Sequence, residues 1–127
     1  MDDGWLVGSD RGEFGGELAY VDDKGVSQTF LDENVEDIYR LGPRLVAVTG
    51  LAHMGIDHGL LYELARGADG RWTAKPWRTL PSAPGSSWFV PSGELQVNSY
   101  HGVSVLIDPA GAMRMAPCRK FERKQAR

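Results

Sequence analysis

The sequence predicts an all-β protein built from repeated four-stranded antiparallel units. One observation is a repeat, because Gly16, Gly59 and Gly102 are spaced 43 residues apart, and a strand-like run follows each of them. The second observation is that a turn signal soon follows each run, at Asp23-Lys24-Gly25, Asp69-Gly70 and residues 108–111. Repeats of roughly 40 to 50 residues made of strands are typical of proteins in which each repeat forms one sheet.

The middle repeat predicts four strands. Residues 35–39 and 44–49 are β-prone runs on either side of Leu41-Gly42-Pro43, a hairpin signal in which glycine admits positive φ and proline stops the ladder. Adding the hairpin that follows Gly59 places the strands near 35–40, 44–50, 59–66 and 71–79, with a loop over residues 51–58 and a turn at Asp69-Gly70. We expect these strands to form an antiparallel meander.

The outer repeats follow the same spacing. In the first, residues 5–8, 17–22 and 26–31 match the second, third and fourth strands, so its opening strand is missing. The third has all four, at 87–90, 95–98, 103–108 and 111–115, and residues 81–86 are predicted to link it to the middle repeat. No segment has convincing helical periodicity; residues 32–40 are interpreted as a turn that leads into a strand.

These units predict a single domain over residues 1–118, with units at about 5–34, 35–81 and 82–118. Residues 119–127 carry five basic and one acidic side chain. Such a segment is predicted to be a disordered basic tail.

Over residues 5–116 the period and strand pattern resemble the β-propeller superfamily. The chain would supply about two and three-quarter blades. It lacks the WD dipeptide and the double-glycine pattern of kelch blades, so no family within the superfamily is identified. Propellers usually need about 4 to 8 blades. The resemblance therefore implies that a second copy of the chain or the rest of a larger propeller completes the ring; an open sandwich of three sheets is the alternative.

Charge is distributed unevenly along the chain. Residues 1–43 hold 11 acidic and 3 basic side chains, and residues 44–127 hold 6 acidic and 11 basic ones. Such polarity can steer one copy onto another, head to tail, so a homodimer is our first expectation. Two solvated faces that merely differ in charge are the alternative.

Composition also limits the function classes. The net charge of −3 does not favour nucleic-acid binding, and no apolar run approaches the roughly 18 residues of a membrane span. The single Cys118 excludes an internal disulfide framework. The acidic N-terminus lacks the features of a secretion signal, so a cytoplasmic location is the default, and a secreted or periplasmic one stays open if a signal was removed.

The loops between the second and third strands of each unit contain the candidate binding residues. Loops at equivalent repeat positions fall on one face, where repeat proteins concentrate function. The residues expected on this face are Asp10, Arg11, Glu13, His53, Asp57, His58, Tyr100 and His101.

The polar residues of these loops suggest two chemical roles, and ordinary loop polarity is the alternative to both. His53, Asp57 and His58 have side chains that suit a divalent metal, but their spacing brings ligands together only on a helix, which the nearby glycines disfavour. Asp10 and Glu13 are the residue types of a glycosidase pair. We expect neither a metal nor another cofactor.

The four tryptophans fall into two pairs. Trp5 and Trp88 lie in strand patterns and are predicted to pack in the core or between blades, with sugar stacking as the alternative. Trp72 and Trp77 flank Lys75-Pro76 on an outer strand, so they are predicted to be exposed and available to a ligand.

The sequence contains no strong catalytic constellation. It therefore predicts a non-catalytic binding or interaction module with a protein or carbohydrate ligand. The alternative is a carbohydrate-active hydrolase or lyase, or a sugar-binding lectin, that uses the loops at residues 9–14 and 51–58.

Overall fold

A computed structural model of the protein describes residues 3–53, 56–99 and 103–116, except the side chains of Glu13, His53 and Ile56. This part of the chain is all-β, as predicted, and its sheets are antiparallel. No helix in it is long and apolar enough to cross a membrane. The predicted basic tail at residues 119–127, as well as Cys118, lies outside the described residues.

The first sheet has three strands in the order β1-β2-β3. They are β1 (Gly4–Gly8), β2 (Leu18–Asp22) and β3 (Ser27–Leu31). A single 3-10 turn, Gly12–Phe14, lies in the connection between β1 and β2. In the described residues this sheet therefore has three strands, close to the three predicted at 5–8, 17–22 and 26–31.

The middle sheet has four strands in the order β4-β5-β6-β7. They are β4 (Val35–Leu41), β5 (Arg44–His53), β6 (Ile56–Arg66) and β7 (Trp72–Thr79). The third sheet is ordered β11-β10-β9-β8. Its strands are β8 (Pro84–Phe89), β9 (Leu95–Ser99), β10 (Ser104–Ile107) and β11 (Met113–Met115).

The predicted loop over residues 51–58 is wrong. Leu51 pairs with His58, Ala52 with Asp57 and His53 with Ile56, so β5 and β6 form a long hairpin through this segment. The prediction ended the second strand at Gly50 and began the third at Gly59, whereas the ladder continues beyond both. Gly50 and Gly59 instead face each other within the ladder. Similarly, the predicted linker over 81–86 is shorter, because β8 already begins at Pro84.

The repeated glycines are needed for close packing of the connectors between sheets. A Cβ on Gly16 would lie 2.7 Å from Asn34 Oδ1, and one on Gly59 would lie 2.5 Å from the Ser82 carbonyl oxygen. Asn34 and Ser82 belong to the two segments that carry the chain from one sheet to the next. The 43-residue repeat thus marks, at its first two glycines, the points where a connector packs closely on the chain, just before β2 and within β6. Gly102 lies outside the described residues.

The middle sheet has a hydrophobic core on each face. Toward the first sheet, Ala47, Tyr62 and Leu64 pack with Leu18 and Tyr20. Toward the third sheet, a second cluster contains Leu41, Val46, Val48, Leu61, Leu80, Leu95, Val97, Val105 and Ile107. Successive side chains of a strand point to opposite faces, and Val46, Ala47 and Val48 are all 0% exposed. Strand β5 is therefore buried on both faces, as its unbroken apolar run predicts.

The glycine packing makes a testable prediction. Gly59→Ala should lower the free energy of unfolding by about 1–3 kcal/mol, the usual cost of forcing extra atoms into a packed site, because the new methyl group meets backbone rather than a flexible side chain. Urea denaturation followed by circular dichroism measures the change. Ser27→Ala, at an exposed strand position, is the control and should change stability by less than about 0.5 kcal/mol. Equal stability of Gly59→Ala and the wild type would contradict the close approach.

Candidate functional site

The connections between strands alternate between two ends of the sheets, because neighbouring strands are antiparallel. One end carries residues 9–17 between β1 and β2, and the inter-sheet connectors 32–34 and 80–83. We call it the connector end. The short turns within the sheets, such as residues 23–26 and 67–71, lie at the opposite end, which we call the turn end.

Asp10 and Arg11 stabilise their own loop at the connector end. Asp10 Oδ1 accepts a hydrogen bond from the Gly12 amide at 3.0 Å. The Arg11 guanidinium donates to the Gly15 carbonyl at 2.9 Å. Both side chains are tied to the backbone, so the structure gives Asp10 a structural role beside the catalytic one considered from the sequence.

Asn34 joins this loop to the first connector, and sequence reasoning missed it. Its side chain is 4% exposed. Its Oδ1 accepts from the Arg11 amide at 3.0 Å, and its Nδ2 donates to the Gly12 carbonyl at 2.9 Å. Its own carbonyl accepts from the Gly50 amide at 3.1 Å. A buried amide whose donor and acceptor are both bonded fixes the loop against the middle sheet.

His58 lies beside Glu33 at the same end. The His58 Nε2 atom is 3.7 Å from Glu33 Oε1, and the Tyr62 hydroxyl donates to Glu33 Oε2 at 3.3 Å. The negative charge of Glu33 and partial burial raise the pKa of Tyr62, burial being the larger cause. Glu33 is thus held between two side chains of β6.

A pocket opens next to this pair, and we call it the connector-end pocket. Its volume is about 170 Å³. Four of its lining residues have polar side chains: Asp32, Glu33, Asn34 and His58. Its remaining lining residues are Gly12, Gly15, Gly16 and Leu51. Two carboxylates and glycine backbone suit a small cationic or hydroxyl-bearing group.

The other predicted binding residues at this end do not join the pocket or lie outside the described part. Asp57 Oδ1 accepts from the Ala83 amide at 2.8 Å and so fastens the second connector. Tyr100 and His101 are outside the described residues, as are the side chains of Glu13 and His53.

The predicted exposure of Trp72 is wrong, and neither Trp5 nor Trp88 is buried within this chain. Trp5 and Trp88 are 63% and 47% exposed, whereas Trp72 is 4% exposed. The Trp72 ring stacks on Tyr20 and Phe30 between the first and middle sheets, with centroid distances of 5.6 and 6.0 Å. Trp77 is partly buried and packs against the core cluster between the middle and third sheets. Although β7 is at the edge of its sheet, it still presents one face to each neighbouring sheet. A β-bulge opposite Leu61 and Tyr62 also changes which side chains of β7 lie on each face.

A second polar cluster joins β4 to β8, and sequence reasoning missed it too. Glu36 Oε1 lies 2.5 Å from Ser87 Oγ. The Tyr39 hydroxyl donates to the Ser87 carbonyl at 2.9 Å. Burial raises the pKa of Glu36, and the negative charges of Asp37 and Asp10 raise it further, against the lowering effect of the Ser87 hydrogen bond. Glu36 lies at a β-bulge. The sequence pattern does not indicate this backbone irregularity, so the cluster was not predicted.

The turn end has a larger polar pocket, of about 360 Å³, between the first and middle sheets. Two of its charged side chains bind one another. Arg66 Nη1 is 3.0 Å from Asp3 Oδ2, and the Tyr20 hydroxyl donates to the same carboxylate. The Tyr20 hydrogen bond and Arg66 lower the pKa of Asp3. These contacts cross from one sheet to the other and support a structural role.

Metal and family comparisons add no assignment. Among the residues that the structure describes, no group of three or more His, Cys, Asp or Glu is placed to hold a metal ion. Comparison with protein-family models, curated proteins and solved structures found no match to this chain.

The pKa of Glu36 is raised and that of Glu94 is lowered. Their substitution by glutamine should therefore change stability with pH in opposite directions. The folded-state pKa of Glu36 is raised, so its stabilising contribution is complete below the unfolded-state pKa and is lost as pH rises through the folded-state pKa. The stability of Glu36→Gln relative to the wild type should therefore increase from about pH 4 to about pH 7. Thermal unfolding of both proteins at each pH measures this difference.

Glu94→Gln is the matched control. Hydrogen bonds from Arg114 and Ser92 lower the pKa of Glu94, so its contribution is present above the unfolded-state pKa and lost as pH falls. Glu94→Gln should lose stability relative to the wild type over the same rise in pH. A Glu36→Gln difference that follows the Glu94→Gln trend would contradict the assigned burial of Glu36.

Proposed function

We propose that the protein is a non-catalytic binding module of β-propeller type, with its three sheets as consecutive blades and its ligand site at the connector end. The observation that carries this proposal is the connector-end pocket, since it is formed jointly by the β1–β2 loop, the first connector and β6. Ligand sites in repeat folds are built in this way from loops of neighbouring repeats.

Equivalent positions in the three sheets support the propeller-type interpretation. Ala19, Tyr62 and Val105 are 43 residues apart, and they pair with Val7, Ala47 and Val97, respectively, on the preceding strand. Val21, Leu64 and Ile107 have the same spacing and pair with Trp5, Leu45 and Leu95. The sheets therefore share a common register as well as a common strand order.

The pocket chemistry favours a basic side chain of a partner protein as the ligand. Asp32 and Glu33 supply negative charge in a volume of about 170 Å³, which is smaller than the roughly 300 Å³ at which drug-sized ligand sites begin. One lysine or arginine side chain fits that size and charge. The excess of acidic residues in positions 1–43 would attract a basic partner to this region.

A peptide titration tests the proposal. The probe is a glycine-flanked lysine peptide, and the same peptide with acetylated lysine is the comparison. Two-dimensional NMR should show the lysine peptide shifting the amide signals of Gly16, Asn34 and His58. Glu33→Gln should weaken binding about fivefold, the ratio that corresponds to roughly 1 kcal/mol of exposed ion pairing.

Glu94→Gln controls for the loss of one negative charge, because Glu94 lies at the turn end of the third sheet and pairs with Arg114 at 3.0 Å. It should bind the lysine peptide as the wild type does. Equal shifts with the lysine and acetyl-lysine peptides, or no shifts at the pocket, would contradict the proposed ligand chemistry.

A carbohydrate-active hydrolase is the second candidate function. It is favoured by the placement of Glu36, whose pKa is raised by burial and by the charges of Asp37 and Asp10, since carboxyl groups with perturbed pKa values are typical of functional sites. A panel of nitrophenyl glycosides separates the two functions. The binding-module proposal expects no hydrolysis above the uncatalysed rate, whereas hydrolysis that Glu36→Gln abolishes would support the enzyme.

A further inference from the structure

The first sheet has an apolar outer face on the side opposite the middle sheet. Trp5 and Val21 pair across β1 and β2, as do Val7 and Ala19, so these four side chains form two adjacent rows. Trp5 is 63% exposed and Val7 is 50% exposed. An apolar patch of this kind, displayed on a regular sheet, is a mark of an interaction surface.

The same positions are covered in the other two sheets. In the middle sheet they are Leu45, Ala47, Tyr62 and Leu64, which pack on the first sheet. In the third sheet they are Leu95, Val97, Val105 and Ile107, which pack on the middle sheet and are at most 5% exposed. By its register, the outer face of the first sheet is therefore the face that receives a preceding sheet.

The third sheet presents polar side chains, with Trp88 beside them, on its outer face. Gln96, Asn98 and Ser104 point away from the middle sheet, since they alternate with the core residues of β9 and β10. Gln96 Nε2 and Ser104 Oγ both donate to Asn98 Oδ1, at 2.9 and 2.6 Å. These polar groups satisfy one another, so covering them leaves few unpaired donors or acceptors. Trp88 pairs with Gln96 on this face and is 47% exposed.

We propose that two copies of the chain associate so that the Trp5 face of each covers the Trp88 face of the other, which closes a ring of six sheets. This inference rests on the propeller-type arrangement proposed above. The symmetry is two-fold and the two junctions are identical. Each junction repeats the kind of sheet-on-sheet packing that the chain makes twice within itself.

The size of the surface favours two junctions over one. Three strands of five residues form a face whose burial on both partners is on the order of 500 Å², from standard strand spacings. A specific interface needs at least about 1,000 Å², which two such junctions reach and a single face-to-face contact does not.

Sedimentation analysis of the wild type and two variants tests the inference. The wild type should be a dimer. Trp5→Lys and Trp88→Lys should each raise the dimer Kd at least about tenfold, as loss of a buried interface tryptophan does. Val26→Lys is the matched control, because Val26 is 65% exposed but lies at the β2–β3 turn; it should leave the Kd unchanged.

Mixing the two tryptophan variants identifies the pairing. A mixed dimer has one junction with both substitutions and one with neither, so mixing should restore part of the lost association. If Trp88→Lys dimerises like the wild type while Trp5→Lys does not, the Trp5 faces pair with each other and the proposed ring is wrong.

A wild type that stays monomeric at high concentration and low salt would also overturn the inference. This outcome is separate from failure of the proposed binding function. The lysine-peptide titration does not depend on association, so a monomer that still binds the peptide would retract only the ring.

Discussion

The structure depends on the burial of one strand on both of its faces. Val46, Ala47 and Val48 are consecutive, and each is fully buried, so their side chains need apolar partners above and below the middle sheet. The first sheet supplies the partners of Ala47, and the third sheet supplies those of Val46 and Val48. At about 25 cal/mol for each Å² of buried apolar surface, these two layers are the main source of stability.

This stacking also positions the connector end. The connectors from one sheet to the next pack closely on Gly16, just before β2, and on Gly59 in β6, where a Cβ would collide with the connector. Asn34 and Asp57 then tie the connectors to neighbouring segments by hydrogen bonds of 2.8 to 3.0 Å. The connector-end pocket is a consequence of that crossing, since Asp32, Glu33 and Asn34 belong to the first connector.

Local signals predicted most of the strands, and long-range contacts explain what they missed. Turn residues such as Asp108 bond their own backbone, at 2.9 Å to the amides of Ala110 and Ala112, so the turns are encoded locally. The sequence predicts that strands end at Gly50 and begin at Gly59, around a loop at residues 51–58. Both glycines lie within the ladder instead, where residues 80–84, distant in sequence, pack closely against them. Trp72 is buried because Tyr20 and Phe30 from another sheet stack on it.

The same limit applies to the site. His58 and Asp57 were found from the sequence because histidine and acidic residues are clustered there. Glu33, Asn34 and Glu36 gave no such signal, since their roles come from burial and from partners on other strands.

Amide hydrogen exchange tests the central claim that β5 is buried between two sheets. The account predicts that the amides of Val46, Ala47 and Val48 exchange only through global unfolding, with a protection free energy equal to the free energy of unfolding. Amides on the free edge of β1 should exchange far faster under the same conditions. Exchange of the β5 amides at the rate of the β1 edge would contradict the stacked arrangement of the three sheets.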